Sequence, residues 1–128
     1  MMKFKTMMII KAVVCLVMGT WLMFFYNSIA ALLGGTSLTN ALALFHAQEY
    51  SAAMYGIMLI TWFGRNAVES DLRRGVIWGL TIYDAIGFVI SVIATLNGTF
   101  NFLGWSIAAL YLFLTLGFGY FLIKPPNP

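Results

Sequence analysis

Four apolar runs divide this chain, and each is long enough to cross a bilayer as a helix. They cover approximately residues 7–25, 40–64, 75–96 and 102–123. A helical span needs about 20 apolar residues, so four spans with short connections use nearly the whole length. The pattern predicts a single four-span transmembrane domain over residues 1–128, an all-α integral membrane four-helix bundle.

The segments between the runs carry turn and cap signals. Residues 28–33, followed by Gly34 and Gly35, predict a short helix that lies along the membrane surface and ends at the glycines. Ser70 is a typical N-cap for the third span. The Asn97-Gly98 turn is short enough to make the third and fourth spans antiparallel neighbours.

The composition excludes a soluble globular domain. Hydrophobic residues make up 62% of the chain and charged residues only 9%, whereas about 25% charged residues is usual in soluble domains. A bacterial inner membrane is the predicted location, and the lipid bilayer is the first predicted partner.

The basic residues predict the orientation of the spans. All seven fall near one predicted membrane face: Lys3, Lys5, Lys11, Arg65, Arg73, Arg74 and Lys124. Cytoplasmic connections are enriched in Lys and Arg, so both termini are predicted to be cytoplasmic. Lys11 lies about one turn inside the first span, and its long stem is expected to carry the ammonium back to the headgroups. Because topology explains the net charge of +3, no nucleic-acid partner is predicted.

Asp84 lies near the middle of the third run, where an ionised group must face protein or water. By depth, the hydroxyls of Tyr55 and Thr115 are its expected hydrogen-bond partners, and no cation is expected at that level. Thr81, Ser91 and Thr95 lie on the same helical stripe as Asp84. The stripe is either a path for a proton, ion or small solute, or a set of hydrogen bonds that hold spans together, and the second role is the commoner one.

Small residues at helical spacing predict close helix contacts. Gly75, Gly79 and Gly87 fall on one face of the third span, and Ala52 and Gly56 on one face of the second. Such faces allow helix backbones to approach within one chain or between two proteins. Other membrane subunits, or a second copy of this chain, are therefore predicted partners.

His46, Glu49 and Tyr50 form a second polar group, near the outer end of the second span. His46 and Glu49 are three residues apart and share a helix face. One histidine and one glutamate are too few for a metal site, so no metal is predicted. A contact with haem, pigment or quinone is a possible use of a histidine in aromatic surroundings, but an interfacial polar cap is the preferred interpretation, and no cofactor is predicted.

Short motifs along most of the chain resemble small bacterial four-transmembrane-helix proteins of a family of unknown function. The motifs are Gly34-Gly35, Tyr55-Gly56, Asp71-Leu72-Arg73-Arg74, Asp84-Ala85-Ile86-Gly87, Gly104-Trp105, Tyr111 and Gly117-Phe118-Gly119-Tyr120. The resemblance implies four helices and a bacterial inner membrane. It implies no catalytic residues.

Three functions are compatible with these patterns, and none of them is enzymatic. The favoured one is a non-catalytic subunit, or an assembly or stabilising factor, of a larger membrane complex, either respiratory or photosynthetic. The second is a small transporter or channel protomer in which Asp84 titrates. The third is a protein that binds a lipid, quinone or pigment between its spans, with His46 and Glu49 at the mouth of the pocket.

Overall fold

The computed structural model describes residues 3–34 and 41–123, and within these ranges it contains five helices and no strand. The helices are α1 (Phe4–Phe24), α2 (Tyr26–Leu32), α3 (Ala41–Gly64), α4 (Asp71–Leu96) and α5 (Gly104–Ile123). The all-α prediction is confirmed. α1 and α4 begin three to four residues before the predicted spans, whereas Gly35, which was part of the predicted stop after α2, lies outside the described residues.

The helix ends follow the signals in the sequence. The Ser70 side chain accepts a hydrogen bond from the backbone N–H of Arg73 at 3.1 Å, which caps α4 as predicted. Gly34 and Gly98 have φ angles of 95° and 84°, a conformation that other residues rarely adopt, and they follow α2 and α4. The short helix predicted between the first two spans is α2, which begins two residues earlier than expected.

The four long helices form two antiparallel pairs. α1 lies along α3: Met8 meets Gly64 at one end, and Gln48 donates a side-chain hydrogen bond to the carbonyl of Met23 at the other. α4 lies along α5 in the same way. There Arg74 donates to the carbonyl of Leu122 at one end, and Gly104 lies against Thr95 at the other.

An apolar core joins the two pairs in the half of the bundle that contains the start of α1. Phe4 and Phe121 pack edge to face with their ring centroids 5.7 Å apart. The core consists of buried side chains from α1, α4 and α5: Phe4, Met7, Met8, Ile77, Leu80, Leu114, Phe118 and Phe121. At the opposite end, Asn101 donates its backbone N–H to the carbonyl of Leu33, and so ties the α4–α5 turn to α2.

Three of the described helices, α1, α4 and α5, are long and apolar enough to cross a membrane. α3 has 24 residues but is not among them; its first turns carry His46, Gln48 and Glu49. Large apolar side chains on the outer faces of the bundle are exposed, including Val13, Val17, Leu59, Ile86, Ile90, Phe113 and Leu116. An apolar exterior of this extent is typical of a surface that meets lipid, in agreement with the predicted membrane protein.

Candidate functional site

A buried ion pair links α1 to α4. The Lys11 ammonium donates a hydrogen bond to Oδ1 of Asp84 at 2.5 Å, and the two side chains are 2% and 0% exposed. The prediction that Lys11 reaches the headgroups is therefore wrong, and so is the expectation that no cation lies at the depth of Asp84.

The position of Lys11 on its helix explains this difference. Phe4, Met7, Lys11 and Cys15 recur every three to four residues and form the buried face of α1. A lysine on an outer face can extend along lipid to the headgroups. Lys11 instead points between the helix pairs, where Asp84 is the acid that it meets.

Three tyrosines continue the polar cluster beside the ion pair. Tyr83 packs its ring under the ammonium of Lys11, with 4.6 Å between Nζ and the ring centroid. Its hydroxyl donates to that of Tyr50 at 2.8 Å, and the hydroxyls of Tyr50 and Tyr111 are 2.5 Å apart. The cluster therefore draws one or two side chains from each of the four long helices.

The partners predicted for Asp84 make other hydrogen bonds. Tyr55 pairs its hydroxyl with that of Thr20 at 2.9 Å, which links α3 to α1. Thr115 donates to the carbonyl of Tyr111 at 2.7 Å, within its own helix. The predicted hydrogen bonds from Tyr55 and Thr115 to Asp84 are therefore wrong.

Two hydroxyls of the predicted polar stripe on α4 also form hydrogen bonds within their own helix. Thr81 donates to the carbonyl of Ile77 at 2.8 Å, and Thr95 donates to that of Ser91 at the same distance. A threonine in a helix readily satisfies its hydroxyl on the carbonyl one turn earlier. These two hydroxyls therefore do not link helices, whereas Ser91 is buried on the same stripe as Asp84.

The second carboxylate oxygen of Asp84, Oδ2, is not bonded to Lys11. Oδ2 of Asp84 is buried, and it has no hydrogen-bond partner among the described residues. Buried polar atoms are nearly always paired, so such an atom calls for a physical account. Cys15 is fully buried on the α1 face that carries Lys11, so the cluster has a second titratable group on that helix.

The second predicted group, His46, Glu49 and Tyr50, is divided by the fold. His46 Nδ1 and Glu49 Oε1 are 3.3 Å apart, so the predicted contact between them is present, and both side chains are 63% exposed. Tyr50 points the other way, into the cluster with Tyr83 and Tyr111. Among the described residues, no three or more His, Cys, Asp and Glu side chains are grouped to hold a metal ion.

The predicted packing residues also separate into two sets. Gly87 lies directly against the ring of Tyr111, and this contact brings α4 close to α5. Gly56, Gly75 and Gly79 have no atom within 4 Å of the position that a Cβ would occupy, and Ala52 is exposed. Only Gly87 of this set therefore supports a close helix contact within the described chain.

Lys11, Tyr83 and Tyr111 are the cluster members that the sequence did not indicate as site residues. A signal for Lys11 is present, since it is the one Lys or Arg inside the four apolar runs, and a cation inside a membrane segment tends to pair with an acid such as Asp84. The tyrosines carry no comparable signal, because tyrosine is common in membrane helices for other reasons.

The chain matches no protein-family model, no curated protein and no solved structure. Its resemblance to small bacterial four-span proteins stays a prediction. The function is therefore argued from the geometry of the bundle.

Proposed function

We propose that the chain is a four-span protein of a bacterial cytoplasmic membrane, in which α3 is the fourth span. The support comes from the pairing of α3 with α1. Contacts at both ends, Met8 with Gly64 and Gln48 with Met23, keep the two helices side by side along their length. A membrane that is crossed by α1 is then crossed by α3 as well.

The charge distribution supports an orientation with both termini in the cytoplasm. Lys3 and Arg65 lie next to the ends of α1 and α3 that meet, and Arg73 and Arg74 lie in the first turn of α4 at the same end of the bundle. The sequence has no Lys or Arg from residue 12 to residue 64 or from residue 75 to residue 123. This asymmetry is the positive-inside pattern.

Cysteine labelling tests the orientation. In a Cys15→Ala background, a membrane-impermeant maleimide should label Thr99→Cys from outside intact cells and label Asn66→Cys only after the membrane is opened. Asn66 and Thr99 are both exposed and both lie in turns between helices, so a difference in their labelling reports the side of the membrane and not burial. Labelling of Asn66→Cys in intact cells would contradict the orientation.

We infer that the protein acts as a non-catalytic subunit, or as an assembly or stabilising factor, of a larger membrane complex. The observation that carries this proposal is the open small-residue face of α4. Gly75 and Gly79 are one turn apart, and a Cβ at either position would touch nothing within 4 Å. Small residues at this spacing let a second helix approach closely in a membrane, where packing drives association.

The bulky neighbours of these glycines extend the same surface. Trp78 is exposed between them, and Ile82 and Ile86 continue along the helix. A partner helix that packs against Gly75 and Gly79 would cover these side chains as well. The described part of the chain leaves this face uncovered, although Gly87 shows that α4 does use glycine for a close helix contact.

Native mass spectrometry with an absorption spectrum tests this function on tagged protein that is extracted gently from its own membranes. We expect heterologous subunits with the wild type and their loss from Gly75→Leu/Gly79→Leu, because two leucines prevent close approach. Ala109→Leu is the control, since Ala109 is an exposed small residue on α5. A monomer or homo-oligomer from wild-type membranes would contradict the subunit role, and a bound pigment would appear in the spectrum.

A further inference from the structure

Arg73 is a buried arginine that uses only part of its hydrogen-bonding capacity. It lies in the first turn of α4 and is 7% exposed. Nη1 donates to the carbonyl of Ala67 at 2.9 Å, whereas Nε and Nη2 are buried and have no hydrogen-bond partner among the described residues. Unpaired donors on a buried cation are costly, so these two nitrogens call for an acceptor.

The Arg73 guanidinium lies at the beginning of another helix. Its Cζ is 4.0 Å from the ring centroid of Phe4, which is the first residue of α1. In the part of the chain that the structure describes, α1 starts without a side-chain cap hydrogen bond, and its first turn carries no acidic residue. The start of a helix has unpaired N–H groups and the positive end of the helix dipole. A buried cation and an uncapped helix N-terminus therefore lie together, where one anion can satisfy both.

The acidic residues nearest to Arg73 in the sequence do not supply this anion. Glu69 and Asp71 are both exposed. Neither forms an ion pair with Arg73 within residues 3–34 and 41–123, where the ion pairs are Lys11–Asp84 and His46–Glu49. Asp71 instead lies at the start of α4, where its charge suits the dipole of that helix. The acceptor for Nε and Nη2 is therefore sought in a ligand.

We propose that Arg73 and the start of α1 form a binding site for the phosphate group of an anionic phospholipid. Nε and Nη2 lie on one edge of the planar guanidinium, and their N–H groups match two oxygens of a phosphate. The site is at headgroup level, because α1 has its end there and α4 has its first turn there, and both helices are long and apolar enough to cross a membrane. The proposal rests on the chain crossing a membrane, but it does not depend on the orientation or on the subunit role, since both leaflets contain phosphate.

The surroundings of the site favour a lipid with a net negative charge. Lys3, Lys5 and Thr6 are exposed around the buried Phe4, so the first turn of α1 is open to headgroups. The two lysines attract an anionic lipid, whereas a zwitterionic lipid would bring its own cation beside them. Nε and Nη2 of Arg73 are covered by protein atoms, so lipid binding requires a local side-chain rearrangement, which the Nε–H group itself should report.

Nuclear magnetic resonance of the full-length protein tests the site without changing it. The chain has three arginines, Arg65, Arg73 and Arg74, so ¹⁵N-labelled arginine gives three Nε–H signals, and Arg73→Lys identifies the signal of Arg73 by its loss. We expect phosphatidylglycerol, added to delipidated protein in a neutral detergent, to move this signal as a charge-assisted hydrogen bond forms. Phosphatidylcholine should move it less. A signal that phosphatidylglycerol leaves unmoved would overturn the site, and an equal response to inorganic phosphate or to phosphatidylcholine would overturn its assignment to anionic lipid.

Native mass spectrometry with phosphatidylglycerol measures how much Arg73 contributes to lipid affinity. Arg73→Gln should weaken binding about tenfold or more, because it removes charge-assisted hydrogen bonds. Arg73→Lys keeps the charge but loses the paired N–H groups, so its affinity should be intermediate. Arg65→Gln is the matched control, since it removes the same charge near the same end of the bundle, where Arg65 stacks on Trp62.

The comparison of Arg73→Gln with Arg65→Gln separates a specific site from general attraction to basic residues. Equal losses of affinity in these two variants would overturn the site. Circular dichroism establishes that each variant is folded, and if Arg73→Gln is not folded, Arg73→Lys is compared with Arg65→Lys in its place. An Arg73→Lys variant that binds phosphatidylglycerol as tightly as Arg65→Lys would then overturn the proposal.

Discussion

Lys11→Met is expected to lower the free energy of unfolding by about 3–5 kcal/mol, because it leaves the buried Asp84 carboxylate without its cation. Asp84 is fully buried, and Lys11 provides its only hydrogen bond among the described residues. The measurement is reversible unfolding in mixed micelles with increasing denaturing detergent, followed by circular dichroism.

The double variant Lys11→Met/Asp84→Leu should recover most of this loss. An ion pair that is replaced by apolar side chains of similar volume is often neutral for stability, whereas half of a pair is strongly destabilising. A double variant as unstable as the sum of its two single variants would mean that the pair does not interact as the structure places it.

The helices could be predicted from the sequence because their signals are local. Apolar runs of span length, the Ser70 cap and the turn glycines each depend on neighbouring residues, and the structure places helix ends within a few residues of them. The pairing of α4 with α5 was also predictable, since a short Asn97-Gly98 turn leaves two consecutive helices few other arrangements.

The polar cluster could not be predicted in the same way, because it depends on how each helix is rotated about its axis. Depth along the membrane predicts Tyr55 and Thr115 beside Asp84, but residues at one depth can face opposite directions. Tyr55 turns toward Thr20, and Tyr50, more than one turn earlier on α3, reaches the cluster instead. Rotation is set by the packing of whole helix faces, and α3 has no strongly one-sided apolar pattern that would reveal it.

The ion pair and the open glycine face lie on different sides of α4. Asp84 is on the buried stripe with Ile77 and Leu80, whereas Gly75 and Gly79 are exposed. A partner that covers the outer face of α4 would therefore leave the cluster intact. Loss of assembly and loss of the ion pair can therefore be produced by separate substitutions.

Gly87→Ala is expected to destabilise the bundle and to disturb the tyrosine cluster. A Cβ at this position would lie 2.5 Å from Cε1 of Tyr111, closer than two non-bonded carbon atoms can approach. The ring must shift, which strains the contact between the hydroxyls of Tyr111 and Tyr50. Such overpacking costs about 1–3 kcal/mol, and the better helix propensity of alanine, worth up to about 1 kcal/mol, offsets only part of it.

Gly79→Ala supplies the matched control, on the same helix and with the same change of one methyl group. Because nothing lies within 4 Å of the added Cβ, only the helix propensity remains, and this variant should be as stable as the wild type or more stable by up to about 1 kcal/mol. The two variants are therefore expected to change the free energy of unfolding in opposite directions in the same detergent titration. A shift in the same direction for both would mean that α4 is not rotated as the structure shows, since the close face at Gly87 and the open face at Gly79 both follow from that rotation.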